Sequence, residues 1–505
     1  MEGTPIIGIK WWALLIIILP IYDVIILWQA LGIDKPLRWS DHREMMDAVL
    51  DRIAGLIAAA DPIAVFGDRL TPILRPALID NFGCILAGST TPVVEKMLTA
   101  TTSFGQGKGV IYRPHDAETP LMRTPPYAAM INAAAGHAWD FDDWEDPGNT
   151  HPTVVIFPAL LAASDHAKAQ GLKISGHHMM TAYAIGLEVI MRLGKAVTLS
   201  HYQRGFHATA TLGALGAAAA SARLLGLSQT ESAYALGIAA SQATGYTMQF
   251  GTDTKPLQAG FAARAGLEAA LFAQSGMTSS PQVITDQRGF AGLMGEINED
   301  RLRGLTHRLG EEWMLAEYDL VLKPWPSCGY THRMMTAAQS LHADLRDRLQ
   351  DIETITLTIV DFHYQILPYH HPNTLMQALF SLPACTAQML CHGQLTLADG
   401  HDAFWERAMV QRLIKRTKVI AEPARDPSQN YCAEQPDIIT VTLKDKTEIT
   451  ASAAYPIGAP QNPMGQDAVA EKFMALTGHD REGFDRLMTW PEQDDVADFF
   501  RSGLQ

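Results

Sequence analysis

The sequence predicts a mainly α-helical protein: a large helical domain drawn from both ends of the chain, with a smaller α+β domain inserted between them. Three observations predict it. Apolar residues recur at helical spacing from residue 46 to about 315, period-two alternation appears only after that point, and helical spacing returns from Asp467 onward, where it should rejoin the first domain. With 505 residues, the chain also exceeds what one core organises, so two domains are expected.

Each helix has its own punctuation. Residues Thr71 to Leu86 carry a helical apolar pattern that stops at Gly88. Pro125 and Pro126 open a helix from Tyr127 to His137, because proline is tolerated in a first turn. The segment after Pro152 runs to Gly171, and Ser175 caps a helix to Gly194. Residues 209–226 form an Ala/Gly-rich helix, and Ser228 with Glu231 makes a capping box for the next. Such small side chains allow close backbone approach, as in a tightly packed bundle. No fixed period is visible, which excludes a solenoid.

Beyond residue 315, Ile355, Leu357 and Ile359 alternate with threonines, the mark of a half-buried strand. Ile439, Val441 and Leu443 alternate likewise, and a turn at Asp445–Lys446 makes a hairpin with TEITASA. Helical stretches are expected near 374–392 and 401–417. The resulting boundaries are 1–45 (an apolar extension), 46–315 (helical), 316–454 (α+β) and 455–505 (helical).

Composition narrows the function. Hydrophobic residues at 47% and charged ones at 18% fit a folded globule. A net charge of −15 without any basic run argues against nucleic acid and anionic membrane surfaces. An anionic substrate would therefore need a local basic cluster. The five cysteines are never spaced C-x-x-C, which suits a reducing compartment, and a cytoplasmic location is expected. There is no H-E-x-x-H, no Walker loop and no dinucleotide glycine fingerprint, so neither metal nor cofactor is expected. Residues 11–33 approach the length of a bilayer span, but Asp23 and Pro20 interrupt them. They read as an accessory extension, with translation starting at Met45 or Met46, or as a membrane anchor. Membrane contact is expected only there.

Four segments concentrate polar groups. HAWDFDDWEDPGNTHP (137–152) holds Asp140, Asp142, Asp143, Glu145, Asp146 and His151. Most of these carboxylates read as a solvated loop, while one could orient His151 as a base; the spacing is not that of an EF-hand. RGFHATA (204–210) puts His207 before a helix, whose positive end would favour the neutral imidazole; the plainer reading is a capping or core histidine. GTDTKPLQAGFAARAG (251–266) puts Lys255 at a helix mouth, a surface lysine or a carboxylate and enolate binder. KPWPSCGYTHR (323–333) crowds Lys323, Cys328, Tyr330, His332 and Arg333 at the domain junction, where ligand clefts are favoured; no arrangement supports a Cys328 nucleophile. Such groups suit removal of a proton α to a carboxylate.

Taken together and in this order, with YPIGAPQNPM (455–464) and EKF from Glu471, these segments resemble the MmgE/PrpD family. The match runs from near residue 46 to the end and leaves the first 45 residues outside. The family includes 2-methylcitrate dehydratases, cis-aconitate decarboxylases and iminodisuccinate epimerases. The resemblance implies a helical domain from both chain ends, an inserted α+β lid, an active cleft between them, a homodimer, and no cofactor. By the decarboxylase pattern, Asp140 is the first aspartate of D-F-D-D, and His151 the histidine before proline, with one extra residue of spacing. His207 is the histidine opening the Gly/Ala helix, and Lys255 the lysine of K-P-L. Trp144 departs from a threonine, Gln258 from a histidine, and Cys328 from a further histidine, which argues against cis-aconitate decarboxylation. A lid tyrosine would be Tyr364 or Tyr369.

The expectation is a lyase, a dehydratase of a small citrate-like di- or tricarboxylate that resembles 2-methylcitrate dehydratase. His151 and His207 would share proton transfer, with Asp140 orienting a histidine. Lys255, Lys323, Arg333 and the neighbouring Cys328, Tyr330, His332 and Gln258 would bind substrate. The alternatives are an epimerase, isomerase or decarboxylase working by α-proton abstraction, and a non-catalytic carboxylate-binding protein.

Overall fold

Helices account for most of the chain in a computed structural model, which describes residues 39–114, 120–197, 199–296, 298–426 and 429–503. The expectations for residues 11–33 lie outside those residues. The principal helices are α1 (Trp39–Ala59), α2 (Pro62–Gly88), α3 (Pro125–His137), α4 (Thr153–Ala169), α5 (Gly176–Val197), α6 (Ala208–Leu224), α7 (Gln229–Ala240) and α8 (Thr254–Gln274). They are followed by α9 (His332–Leu345), α10 (Leu382–His392), α11 (Ala408–Ile414), α12 (Gln466–Thr477) and α13 (Val496–Ser502).

Local chemistry sets most of these boundaries. Asp61 caps α2 by accepting from the Ala64 N–H at 3.0 Å, and the helix runs through Pro72 and Pro76, nine residues earlier than the sequence pattern suggested. It is the one helix among the described residues long and apolar enough to cross a membrane, and most of it is buried inside the protein, as a core helix would be. The Ser228–Glu231 capping box is formed. Ser175 accepts from the His178 N–H at 3.2 Å, and the following helix continues through Gly194 to Val197.

The helical core gathers around α6 and α8, which pack on each other and on α3 and α5. Small residues make this possible. A Cβ on Gly260 of α8 would lie 2.5 Å from the Met130 carbonyl of α3, so only glycine allows the crossing.

Four strands form one sheet: β1 (Ile352–Val360), β2 (Thr417–Glu422), β3 (Asp437–Leu443) and β4 (Glu448–Ala453), in the order β2-β1-β3-β4. Ile355 sits opposite Thr417 in the parallel pair and opposite Val441 in the antiparallel one. Ile355, Leu357, Ile439 and Val441 bury one face, against which α9 packs, with α10 on α9. The alternation of β1 and β3 was legible, but β2 was not. Its residues are mostly exposed at the sheet edge, so they carry no alternating pattern, and the helix expected over 401–417 ends at Ile414. The helix expected over 374–392 is likewise broken, into Leu375–Ala378 and α10, whose first turn holds Pro383.

The last helices return to the first ones. Gly83 of α2 faces Phe473 and Leu476 of α12. The buried Lys472 ammonium reaches Asp80 of α2 at 2.8 Å and the Phe141 carbonyl at 2.7 Å. Arg501 of α13 pairs with the buried Asp165 of α4 at 2.6 Å.

Candidate active site

The end of α3 and the loop behind it build one side of the site. His137 closes α3, and the chain then turns through Asp140, whose φ of 51° lies in the left-handed region that aspartate tolerates better than most residues. The acidic loop is not solvated, contrary to expectation: Asp140, Asp142, Asp143 and Glu145 are fully buried, and the reason is that each has partners. Glu145 accepts from the Gly148 N–H (2.8 Å), the Thr150 N–H (3.2 Å) and the Thr150 hydroxyl (2.6 Å), which folds residues 145–150 back on themselves. Asp143 accepts from the backbone and hydroxyl of Thr153, capping α4 where Pro152 cannot. That fold returns the chain so that His151 stands beside His137, ring centroids 4.6 Å apart.

Asp142 sits between the two rings. Its oxygens lie 2.9 and 3.0 Å from His137 Nδ1, and Oδ2 lies 3.2 Å from His151 Nδ1, off the line of a good hydrogen bond. The Asp142 carboxylate assigns the His137 proton to Nδ1 and leaves Nε2 as an acceptor, while His151 meets a carboxylate on either side, its Nε2 lying 3.7 Å from Asp140 Oδ1. His137 Nε2 accepts from Lys255 Nζ at 2.7 Å.

Lys255 enters from the first turn of α8, fully buried, and also donates to Asp140 Oδ2 at 2.8 Å. Lys323 donates to the other oxygen of Asp140 at 2.5 Å and to its carbonyl at 2.8 Å. Burial alone would raise the Asp140 carboxyl, but these two ammonium groups hold it well below the usual range. His207, just ahead of α6, places Nδ1 2.6 Å from Gln258 Oε1, whose amide nitrogen donates to the Tyr246 carbonyl at 3.2 Å. Burial first, then the Lys255 charge, keeps His207 well below the ordinary histidine range. Burial, with the Lys323 charge, brings His151 down to about 4. Both imidazoles are therefore neutral bases near neutral pH.

Asp140, His151, His207, Lys255, Cys328 and Tyr330 line one cavity with about 30 Å³ of free space, room for a water or two. A citrate-sized molecule needs the walls to part. A larger groove of about 890 Å³ between α2 and the 458–466 loop holds Thr71, Arg75, Asp319 and Pro460 but no histidine or lysine, so it lacks this chemistry.

Several expected binders stand elsewhere. Lys323 and Gln258 are corrected to supports, one behind Asp140 and one behind His207. Arg333 does not reach the cavity: its guanidinium serves the Gln435 and Ala453 carbonyls and lies 3.5 Å from Asp437. His332 is turned to the Ser327 hydroxyl at 3.1 Å. Burial raises the Cys328 thiol to about 12, which leaves no thiolate nucleophile. Of the two tyrosines, Tyr369 reaches the site's edge, donating to the Phe250 carbonyl at 2.8 Å over Gly251, where a Cβ would lie 2.4 Å from the ring.

Sequence reasoning missed His137 and Asp142 as partners, although both lie in a segment it singled out. The cavity residues Tyr202, Phe250, Phe380 and Tyr431 carry no sequence signal. His137, Asp140, Asp142 and His151 offer ligand atoms within 4.8 Å of one another, close enough for a cation. The Lys255 and Lys323 ammonium groups already bring positive charge to two of them, His137 and Asp140.

Residues 63–302 match the family model of the MmgE/PrpD N-terminal domain, and residues 325–482 that of the MmgE/PrpD C-terminal domain. The chain is 30% identical to cis-aconitate decarboxylase of Mus musculus over 447 residues, covering 85% of this chain and 87% of that protein. Its similarity to cis-aconitate decarboxylase of Homo sapiens is 31% over 421 residues (81% and 83%), and to that of Aspergillus terreus 27% over 423 residues (79% and 84%).

Proposed function

Because this chain belongs to the MmgE/PrpD family and is a lyase of that group, we propose that it cleaves a small di- or tricarboxylate by proton transfer at the carbon beside a carboxylate. The observation that carries this reading is the convergence of two neutral imidazoles, His151 and His207, with the Lys255 ammonium on one cavity. Lys255 has a third N–H beyond those given to His137 and Asp140, and it can hold a substrate carboxylate. An imidazole takes the α-proton, and the electron pair moves into the carboxylate-stabilised enolate. The substrate's negative charge raises the imidazole pKa, so the captured proton stays available for return.

The relatives' activity supports decarboxylation: an imidazole takes up a proton from water as the anionic substrate binds, carbon dioxide leaves with its bonding pair left on carbon, and the resulting allylic carbanion takes that proton from the imidazolium. Dehydration of a hydroxy acid such as 2-methylcitrate is the second reading, supported by the pairing of two imidazoles, one as base and one to protonate the departing hydroxyl. The sheet-bearing segment 316–454 would act as the lid over a helical domain from both chain ends. Its supports are the Tyr369 bond to Phe250 and the 2.9 Å bond from Asn430 to Asp146. The same resemblance supports a cytoplasmic homodimer, and light scattering at twice the 55.2 kDa chain mass would test the dimer.

The test is an NMR assay in heavy water with cis-aconitate, 2-methylcitrate, citrate and iminodisuccinate. Deuterium at the carbon beside a carboxylate, with loss of carbon dioxide or water, supports the proposal. Exchange without bond loss favours epimerisation. Binding with neither exchange nor turnover would replace it with a carboxylate-binding protein.

A further inference from the structure

We infer that the substrate presents an uncharged, hydrogen-bond-accepting arm, not a third carboxylate, to the Trp144 side of the cavity. This rests on the lyase reading and narrows its substrate class. Two observations carry it.

The first is where the charges are. The polar side holds two buried ammonium groups, Lys255 and Lys323, and two buried carboxylates, Asp140 and Asp142, so its fixed charges cancel. Bound anionic charge can be met by the spare Lys255 N–H and by protonating one imidazole, the other staying neutral as the base, which accommodates two carboxylates. A third finds no cation on the lining itself: the Arg333 guanidinium lies behind the Tyr431 ring, 5.2 Å from its centroid, and bonds to the Gln435 and Ala453 carbonyls, while His332 is turned to Ser327. Apart from Asn149 and Thr209, the rest of the lining is mainly aromatic. Trp144 and Tyr431 lie 5.3 Å apart, Tyr431 and Tyr330 6.3 Å, and Tyr330 and Tyr202 6.3 Å, with the thiol of Cys328 beside them. An unpaired carboxylate on such a surface is strongly disfavoured.

The second is an unused donor. The Trp144 indole N–H is buried and has no acceptor in the protein. It borders the cavity at Gly329, where a Cβ would lie 3.4 Å from Nε1, so the missing side chain leaves space at the N–H. Buried donors are nearly always paired, and this one lies beside Gly329, a second residue of the cavity lining. An amide, ester or ketone oxygen satisfies it without bringing charge among the rings.

Saturated probes test this without turnover: tricarballylate, its terminal monoamide, and 3-methylglutarate, titrated calorimetrically into the full-length protein. The monoamide should bind at least about tenfold tighter than the trianion. Trp144→Phe keeps a ring and deletes the N–H, and should weaken the monoamide by about tenfold while moving 3-methylglutarate by less than about threefold. Gly329→Ala fills the space at the same N–H in ordinary contact, with its Cβ 3.4 Å from Nε1, and should produce the same selective loss, which guards against a folding defect in one variant. Equal or tighter binding of tricarballylate, or a monoamide affinity untouched in both variants, overturns the inference and leaves the lyase reading standing. Failure of all three probes to bind, together with no exchange in heavy water, overturns both.

Discussion

Gln258 fixes the proton of His207: its Oε1 lies 2.6 Å from Nδ1, and its own amide N–H₂ is committed to the Tyr246 carbonyl, so the amide cannot turn round to offer a donor. The Nδ1–H tautomer follows, and Nε2 is left as the basic atom. Gln258→Met removes the acceptor at similar length. The expected result is a kcat roughly ten- to a hundredfold lower with KM little changed, by analogy with lost supporting contacts around ligating histidines. The ¹⁵N shifts of His207 should show mixed tautomers; an unchanged tautomer with unchanged kcat would count against this role.

His207→Ala removes one proton-transfer group outright. Turnover should fall by about 10²–10⁴, the usual worth of a positioned acid or base, while circular dichroism and molecular mass stay as in the wild type. Full activity would remove His207 from the mechanism.

Stability should depend on pH with two opposite signs. Burial pulls His151 and His201 down to about 4, and His332 and His363 to about 3. The unfolded chain therefore binds protons that these folded imidazoles refuse, and their contribution to stability falls as pH drops below about 6.5. Burial pushes Asp143 up to about 8 and Glu145 and Asp437 to about 7, so the folded chain keeps protons that the unfolded one has released. Their contribution is lost as pH rises through those values. Between pH 7 and 8 the imidazoles are silent, and urea unfolding should show stability declining with pH. Asp143→Asn should flatten that slope by up to about 1.4 kcal/mol per pH unit. An identical slope in the variant would show that Asp143 is ionised throughout.

Lys472→Met leaves Asp80 buried without its cation, and the Phe141 carbonyl without its donor. Breaking one side of such a pair costs about 3–5 kcal/mol, read as a lowered urea midpoint. A loss under about 1 kcal/mol would mean that Asp80 takes up a proton instead.

Much of the helical layer was legible because its signals are local: the prolines at 125 and 126 and the Ser228–Glu231 box act within a turn or two. The two strands with one buried face were legible for the same reason, through Ile355 and Val441. The strand at 417–422 was not, since an exposed edge imposes no alternation. Within the site, His151, His207 and Lys255 stood out as polar groups at chain turns. Residue type alone could not separate Lys255, which faces the cavity, from Arg333, which is spent on two carbonyls of its own segment. The burial of the 140–146 carboxylates was also hidden, because their partners (Lys323, Thr153, Asn430) lie far along the chain or across a turn that only the fold closes.

The left-handed turn at Asp140 makes that position intolerant of compromise. Glutamate would keep the charge but lose the short side chain that suits the twist, and asparagine would keep the twist but strip two ammonium groups of their shared anion. Neither neighbouring substitution offers a gentle route, so this corner cannot be retuned by small steps. New substrate preferences have to arise where the walls are permissive, around Trp144 and Cys328, while the aspartate stays as it is.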